Sequence, residues 1–110
     1  KETEKLLDLP NPPTCIFYPD DFAAFGGMRA IQERELRIPE DISVVGYDGI
    51  RLARHIKPKL TTLRQDTELL GQLAAQRLID MIEDVEVETD VPVVVRGSVF
   101  EGNSVADLKE

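Results

Sequence analysis

The chain has 110 residues with 42% hydrophobic and 31% charged side chains, enough for one domain with a modest core. One cysteine, Cys15, excludes an intrachain disulfide and a cysteine-clustered zinc site, and one histidine, His55, excludes paired-histidine metal motifs. A net charge of -8 makes the chain as it stands a poor ligand for phosphate backbones, although residues 29–64 carry 8 basic against 5 acidic groups.

Lys1 to Leu9 reads as the tail of a helix whose start is missing, so the chain is expected to be a piece of something longer. Pro10, Pro12 and Pro13 stop that helix, because proline has no amide hydrogen and restricts its predecessor. Thr14 to Tyr18 is short, apolar and rich in branched and aromatic residues, which predicts a buried strand. Asp20 or Asp21 then caps a helix on which Ala24, Phe25, Met28 and Ile31 recur at helical spacing as far as about Arg34. Gly26 and Gly27 weaken this helix by propensity and predict close packing of helix on sheet.

Arg37 to Asp41 is a turn, and Ile42 to Tyr47 is a second buried strand followed by Asp48-Gly49. Residues 50–60 are irregular, Leu60 to Leu63 is a short extended piece, and Asp66 or Thr67 caps a long helix to about Glu83. Leu69, Leu70, Leu73, Leu78, Met81 and Ile82 form its apolar stripe. The acidic run from Glu83 to Asp90 reads as a solvated loop, Val91 to Val95 as the last strand with Pro92 near its start, and the tail from Asn103 as frayed.

Apolar strands alternating with helices predict an α/β fold with a mainly parallel sheet covered on both faces. Ligands in such folds sit outside the carboxyl ends of the strands. Those ends carry Tyr18, Asp20 and Asp21 in one case and Tyr47, Asp48 and Gly49 in the other. Asp48 is the preferred ligand contact, as a carboxylate able to accept from two hydroxyls, and a strand-end turn is its structural alternative. Asp20 and Asp21 are both candidate helix caps, with Asp21 the preferred one, and Tyr18 is a surface residue at the strand end or part of the packing. Gly26 and Gly27 lack the pattern of a phosphate loop. No nucleophile and base pairing, cofactor motif or metal set is apparent, so neither an enzyme nor a cofactor is expected.

Several blocks carry a resemblance. Pro13 to Phe17, Asp20 to Gly26, Arg37 to Asp48, Pro58 to Asp66 and Val94 to Ser98 stand in order and at the spacing of the effector-binding domain of the lactose/galactose repressor family of bacterial transcription regulators. Arg37-Ile38-Pro39-Glu40-Asp41-Ile42-Ser43-Val44-Val45-Gly46-Tyr47-Asp48 is a near-verbatim form of one family block. The resemblance implies a three-layer fold of the periplasmic-binding-protein-like type I, with residues 1–110 forming the later part of an incomplete C-terminal subdomain. The DNA-binding head and N-terminal subdomain are then absent from this chain. It further implies a cytoplasmic, homodimeric repressor that senses a small neutral sugar-like effector, reads operator DNA through the missing head and needs no membrane. A periplasmic-type sugar-binding protein without DNA reading is the alternative.

By the same resemblance Asp48, Asp20, Tyr18 and Gln65 face the effector, Tyr18 as a stacking surface for a sugar. Met28, Arg51, Arg54 and His55 fall on the dimer surface, and Arg96 is a structural or hinge residue near the subdomain crossover. The sequence departs from the family at Asp20, where asparagine is usual, at Glu35, where glycine is usual, at Tyr47, where phenylalanine is common, and at Gly49, where many members carry Asp or Asn. A left-handed conformation at Glu35 is the expected consequence of the second departure.

Overall fold

The computed structural model describes residues 1–86 and 91–108. The chain divides into two compact units, Lys1–Arg64 with Ser98–Glu110, and Gln65–Gly97.

The first unit holds α1 (Glu2–Leu7), β1 (Cys15–Phe17), α2 (Asp21–Glu33), β2 (Ser43–Asp48), a 3-10 turn at Arg51–Arg54, β3 (Thr61–Arg64) and β4 (Ser98–Phe100). The four strands form one sheet in the order β1-β2-β3-β4. The first two pairings are parallel and β3 with β4 is antiparallel, with Arg64 opposite Ser98. The carboxyl ends of β1, β2 and β3 therefore open at one edge, and β2 and β3 run past β1 there, with Asp48 opposite Arg64.

α2 packs on β2, and α1 packs on α2. The core is Ile16, Tyr18, Ala24, Met28, Ile31, Ile38, Ile42, Val44, Ala53 and Leu60. Burying these side chains is the main term favouring the fold, at roughly 1.5–3 kcal/mol for each large apolar group. Ile16 and Val44 are register partners, so they share a face of the sheet, and both are buried. Phe17 projects from the other face and is 66% exposed. The predicted burial of the whole first strand is thus corrected: β1 is an edge strand, and successive side chains point to opposite faces, of which α2 covers one.

Two expectations about the end of the chain are also corrected. Val91 to Val95 forms no strand; Val91, Val93 and Val94 are exposed, and the last strand is Ser98–Phe100. Branched residues favour extended backbone but do not choose a partner, and Pro92 brings no donor to a ladder. The segment from Ser98 instead meets the free edge of β3. Nor is the tail frayed. Ser104 is fully buried; its hydroxyl accepts from the Thr61 amide at 2.9 Å and donates to the Val44 carbonyl, and its own carbonyl accepts from the Val44 amide at 2.8 Å. The Ala106 amide donates to the Ser43 hydroxyl at 3.0 Å. These bonds pin the tail across the amino-terminal ends of β2 and β3.

The second unit is α3 (Thr67–Ile82), capped by Asp66, whose carboxylate accepts from the Leu69 amide at 3.0 Å. Arg77 donates to the Val91 carbonyl at 3.0 Å and ties the following segment to the helix. Glu83 to Glu86 are exposed, in keeping with a solvated acidic run, and residues 87–90 of that run lie outside the described residues.

Candidate functional site

The carboxyl edge of the first unit is assembled from α2, β2 and β3. At its centre the chain leaves β2 through two residues with positive φ, Asp48 at 116° and Gly49 at 73°. Glycine adopts such angles freely; a residue with a Cβ does so at a cost of order 1–3 kcal/mol, and such residues persist only where their surroundings hold them. Asp48 and Gly49 are both half-buried. A Cβ on Gly49 would collide with the backbone and side chain of Arg64, so the turn lies directly against the end of β3.

Asp21 stands beneath this turn. Its carboxylate is fully buried and accepts from the Thr62 hydroxyl at 2.7 Å and from the Ile50 amide at 2.8 Å. Thr62, 1% exposed, in turn accepts from the Gly49 amide at 3.3 Å. A buried carboxylate is tolerated where hydrogen bonds replace its lost hydration, and these donors do so. The expectation that Asp21 caps the helix is corrected. Asp20 is the cap, with extended backbone and its Oδ1 accepting from the Ala23 amide at 2.7 Å. A carboxylate has acceptor sites on both oxygens, so the cap leaves Asp20 capacity on the second.

Tyr18 is in the core. Its ring fills the space that a Cβ on Gly27 would occupy, and its hydroxyl lies 2.6 Å from that of Thr3 on α1. Burial pushes the phenol above its ordinary value, against a smaller lowering by the bond to Thr3. The reading of Tyr18 as a stacking surface is therefore corrected in favour of packing. Gly26 is corrected as well: it is exposed with open space around it, and Gly27 is the glycine that permits close approach. The two are adjacent, so they face different directions around the helix.

Gln65 is half-buried and belongs to the second unit. Arg96 is exposed and lies outside any strand. Arg51, Arg54 and His55 are exposed at the 3-10 turn, and the Arg54 guanidinium sits 5.2 Å from the centre of the Phe100 ring. Met28 is 3% exposed as part of the core, which corrects its reading as a surface contact. Beside it, Phe25, Arg29, Gln32, Ile56 and Lys57 line a shallow cavity of about 150 Å³. Phe22 and Leu52 are exposed.

Sequence reasoning missed Thr62 and Arg64. The signal for Thr62 was a hydroxyl on a short strand between Leu60 and Leu63, where a buried polar group requires a partner. Arg64 becomes visible only in register, as the residue facing Asp48. The edge offers carboxylates and a guanidinium to a polar ligand. Among the described residues no three His, Cys, Asp or Glu side chains are grouped to hold a metal ion, and no helix is long and apolar enough to cross a membrane.

Comparison with known proteins places this geometry. The sequence profile of the periplasmic binding protein-like domain matches residues 1–105. The probable HTH-type transcriptional repressor ExuR of Bacillus subtilis is 42% identical over 87 residues, covering 79% of this chain. A crystal structure of the lac repressor dimer, bound to operator and the anti-inducer ONPF, superposes with a TM-score of 0.87 at 34% identity over 96% of this chain. A LacI family transcriptional regulator from Enterococcus faecium, crystallised with bound ribose, gives 0.82 at 38% identity over 97%. The chain spans 26% of the length of the Bacillus relative, and 36% and 39% of the two crystallised chains.

Proposed function

The chain belongs to the periplasmic binding protein-like effector domains of the lactose/galactose repressor family, and from that premise we propose that it is the later part of the second subdomain in a DNA-binding transcriptional repressor. In this reading the protein works in the cytoplasm as a homodimer, reads operator DNA through a separate head and is controlled by a small neutral sugar or sugar derivative. The repressor role is supported by the relatives, which are transcriptional repressors.

The observation that carries the effector role is the Asp48-Gly49 turn at the common carboxyl edge of three parallel strands. Asp48 ends β2 there, half-buried, so its carboxylate can accept two ligand hydroxyls without crossing the core. Asp20 adds an acceptor, and the family resemblance assigns Gln65 to the effector as well. Charge-assisted bonds of this kind are shorter and stronger than neutral ones. A neutral polyol suits two carboxylates better than an anion does, and Arg64 tempers that preference. The ribose bound to the Enterococcus relative supports the same ligand class. Effector binding would change the relation between subdomains, and so the affinity for operator, by reciprocal coupling. Arg51 and His55, with the groove around Phe25 and Ile56, are the surface we assign to the partner copy, and Arg96 to the segment that returns toward the crossover.

Asp48→Asn is the test. Asparagine tolerates positive φ, so the turn survives while the charge is lost. Calorimetric titration of the full-length protein with neutral sugars, ribose and cellobiose among them, is expected to show a loss of about 2 kcal/mol or more, roughly 30-fold in affinity. The variant should keep its fold and its operator binding. Unchanged affinity removes Asp48 from the site, and tighter binding of the corresponding sugar phosphates overturns the neutral ligand.

A further inference from the structure

We propose that Asp21 is a positioning residue for the effector site: with Thr62 it latches the turn that aims Asp48. The proposal rests on the reading of Asp48 as an effector contact.

Asp21 is charged, fully buried and sits on a different element from the turn it touches. One carboxylate oxygen takes the Thr62 hydroxyl of β3 at 2.7 Å, and the other takes the Ile50 amide at 2.8 Å. The Thr62 hydroxyl accepts from the Gly49 amide at 3.3 Å. The two amides that follow Asp48 are thus both held, one directly and one through Thr62. Gly46 completes the arrangement, because a Cβ there would collide with the Asp21 carboxylate and with Leu60.

Asp48 has a φ of 116° and Gly49 of 73°, angles to which a free chain would not confine an aspartate. Two hydrogen bonds on the succeeding amides supply the confinement. Releasing them lets the backbone return toward ordinary extended angles, which swings the Asp48 carboxylate away from its place at the edge. Asp21 needs no contact with the ligand to have this effect. A structural role alone would weaken the fold throughout the unit, whereas a latch acts on the turn first.

The experiment compares amide hydrogen exchange in the full-length protein and its variants. Thr62→Val keeps the shape and removes both the donor to Asp21 and the acceptor for Gly49. Asp21→Asn removes the charge, so it can accept from Ile50 only without charge assistance and can meet Thr62 only by donating to it, which reverses that bond. The Gly49 amide should exchange about tenfold faster in Thr62→Val, and the Ile50 amide about tenfold faster in Asp21→Asn, roughly the factor commanded by one hydrogen bond. The amides of Val44 and Val45 should keep their original rates. Thr62→Ser retains the hydroxyl and should restore slow exchange. Should Thr62→Val not fold, the near-isosteric Asp21→Asn carries the readout at Ile50. Unchanged exchange at Gly49 and Ile50, or an equal rise along all of β2, overturns the latch whatever Asp48 does. A loosened turn together with unchanged sugar affinity in Asp48→Asn overturns the effector role alone.

Discussion

Glu35 and Asp48 both take the chain through backbone angles that carry a penalty for any residue with a Cβ, and they do so for different reasons. Glu35 has a φ of 59° just beyond the α2 cap at Arg34, and its amide bonds to the Gln32 carbonyl at 2.9 Å. This is the left-handed exit that helices commonly use, at a position where glycine relieves the strain. Glu35 is exposed, and the position has no other visible demand. Glu35→Gly is expected to stabilise the protein by about 1 kcal/mol, read as a higher urea midpoint at unchanged slope. A lower midpoint would mean that the glutamate makes a compensating contact. Asp48 differs because its strain is held in place by part-buried hydrogen bonds on the next two residues. Persisting strain of that kind points to function, whereas strain at an exposed helix exit does not.

At the scale of the element, α2 shows how one helix serves two surfaces. Its cap, Asp20, lies at the sheet edge, its first-turn Asp21 reaches β3, and Ala24, Met28 and Ile31 fill the core. Gly27 lies on the inward side against the Tyr18 ring, and Gly26 faces open space. Alanine at the two positions should therefore act in opposite directions. Gly26→Ala gains helix propensity of about 1 kcal/mol and meets nothing. Gly27→Ala forces the Tyr18 ring aside, breaks its bond to Thr3 and should cost roughly 1–3 kcal/mol as an overpacked core does. Urea denaturation of both variants checks the pair, and equal effects would contradict the assigned faces. The periodicity that located α2 also identified its inward residues. It did not separate Asp20 from Asp21 or Gly26 from Gly27, because adjacent residues differ by about 100° around a helix and the absolute rotation is fixed by what the helix packs on.

Across the whole molecule, stability should fall at both ends of the pH range. Asp8 is held below its ordinary value by its bond to Arg34 at 2.6 Å, and Asp41 by its paired bonds to Arg37. A carboxyl depressed by folding contributes stability above its unfolded value, near 3.8 for Asp, and loses it as pH falls through the folded value. Both pairs are exposed, so the acid loss should be small and smaller still in high salt. Tyr18 acts in the other direction. Its phenol is raised above 10.0 by burial, so its contribution is intact below that value and disappears as pH rises through the folded one. Thermal melts across pH should show an alkaline limb that flattens in Tyr18→Phe; an unaltered limb would assign the alkaline loss to other groups.

The order of strands and helices, the boundaries of α2 and α3 and most of the core follow from local terms: apolar spacing, cap residues and the stops made by proline. The blocks from Arg37 to Asp48 and from Pro58 to Asp66 likewise carried the family and the place of Asp48 at a strand end, since the carboxyl end of a parallel strand is defined by direction alone. Tertiary structure decided what depends on partners distant in the chain. Val91 to Val95 had the branched composition of a strand, but Ser98–Phe100 met the edge of β3. Ser104 was a polar residue in a tail until the amino-terminal ends of β2 and β3 gave it three hydrogen bonds. The burial of Asp21 against Thr62, 41 residues away, was not legible, because a carboxylate near a helix start satisfies the capping rule whichever way it points. Composition and period set what each segment can form; the pairing of donors with acceptors far apart in the chain, which has no local signature, settled which residues hold the Asp48-Gly49 turn.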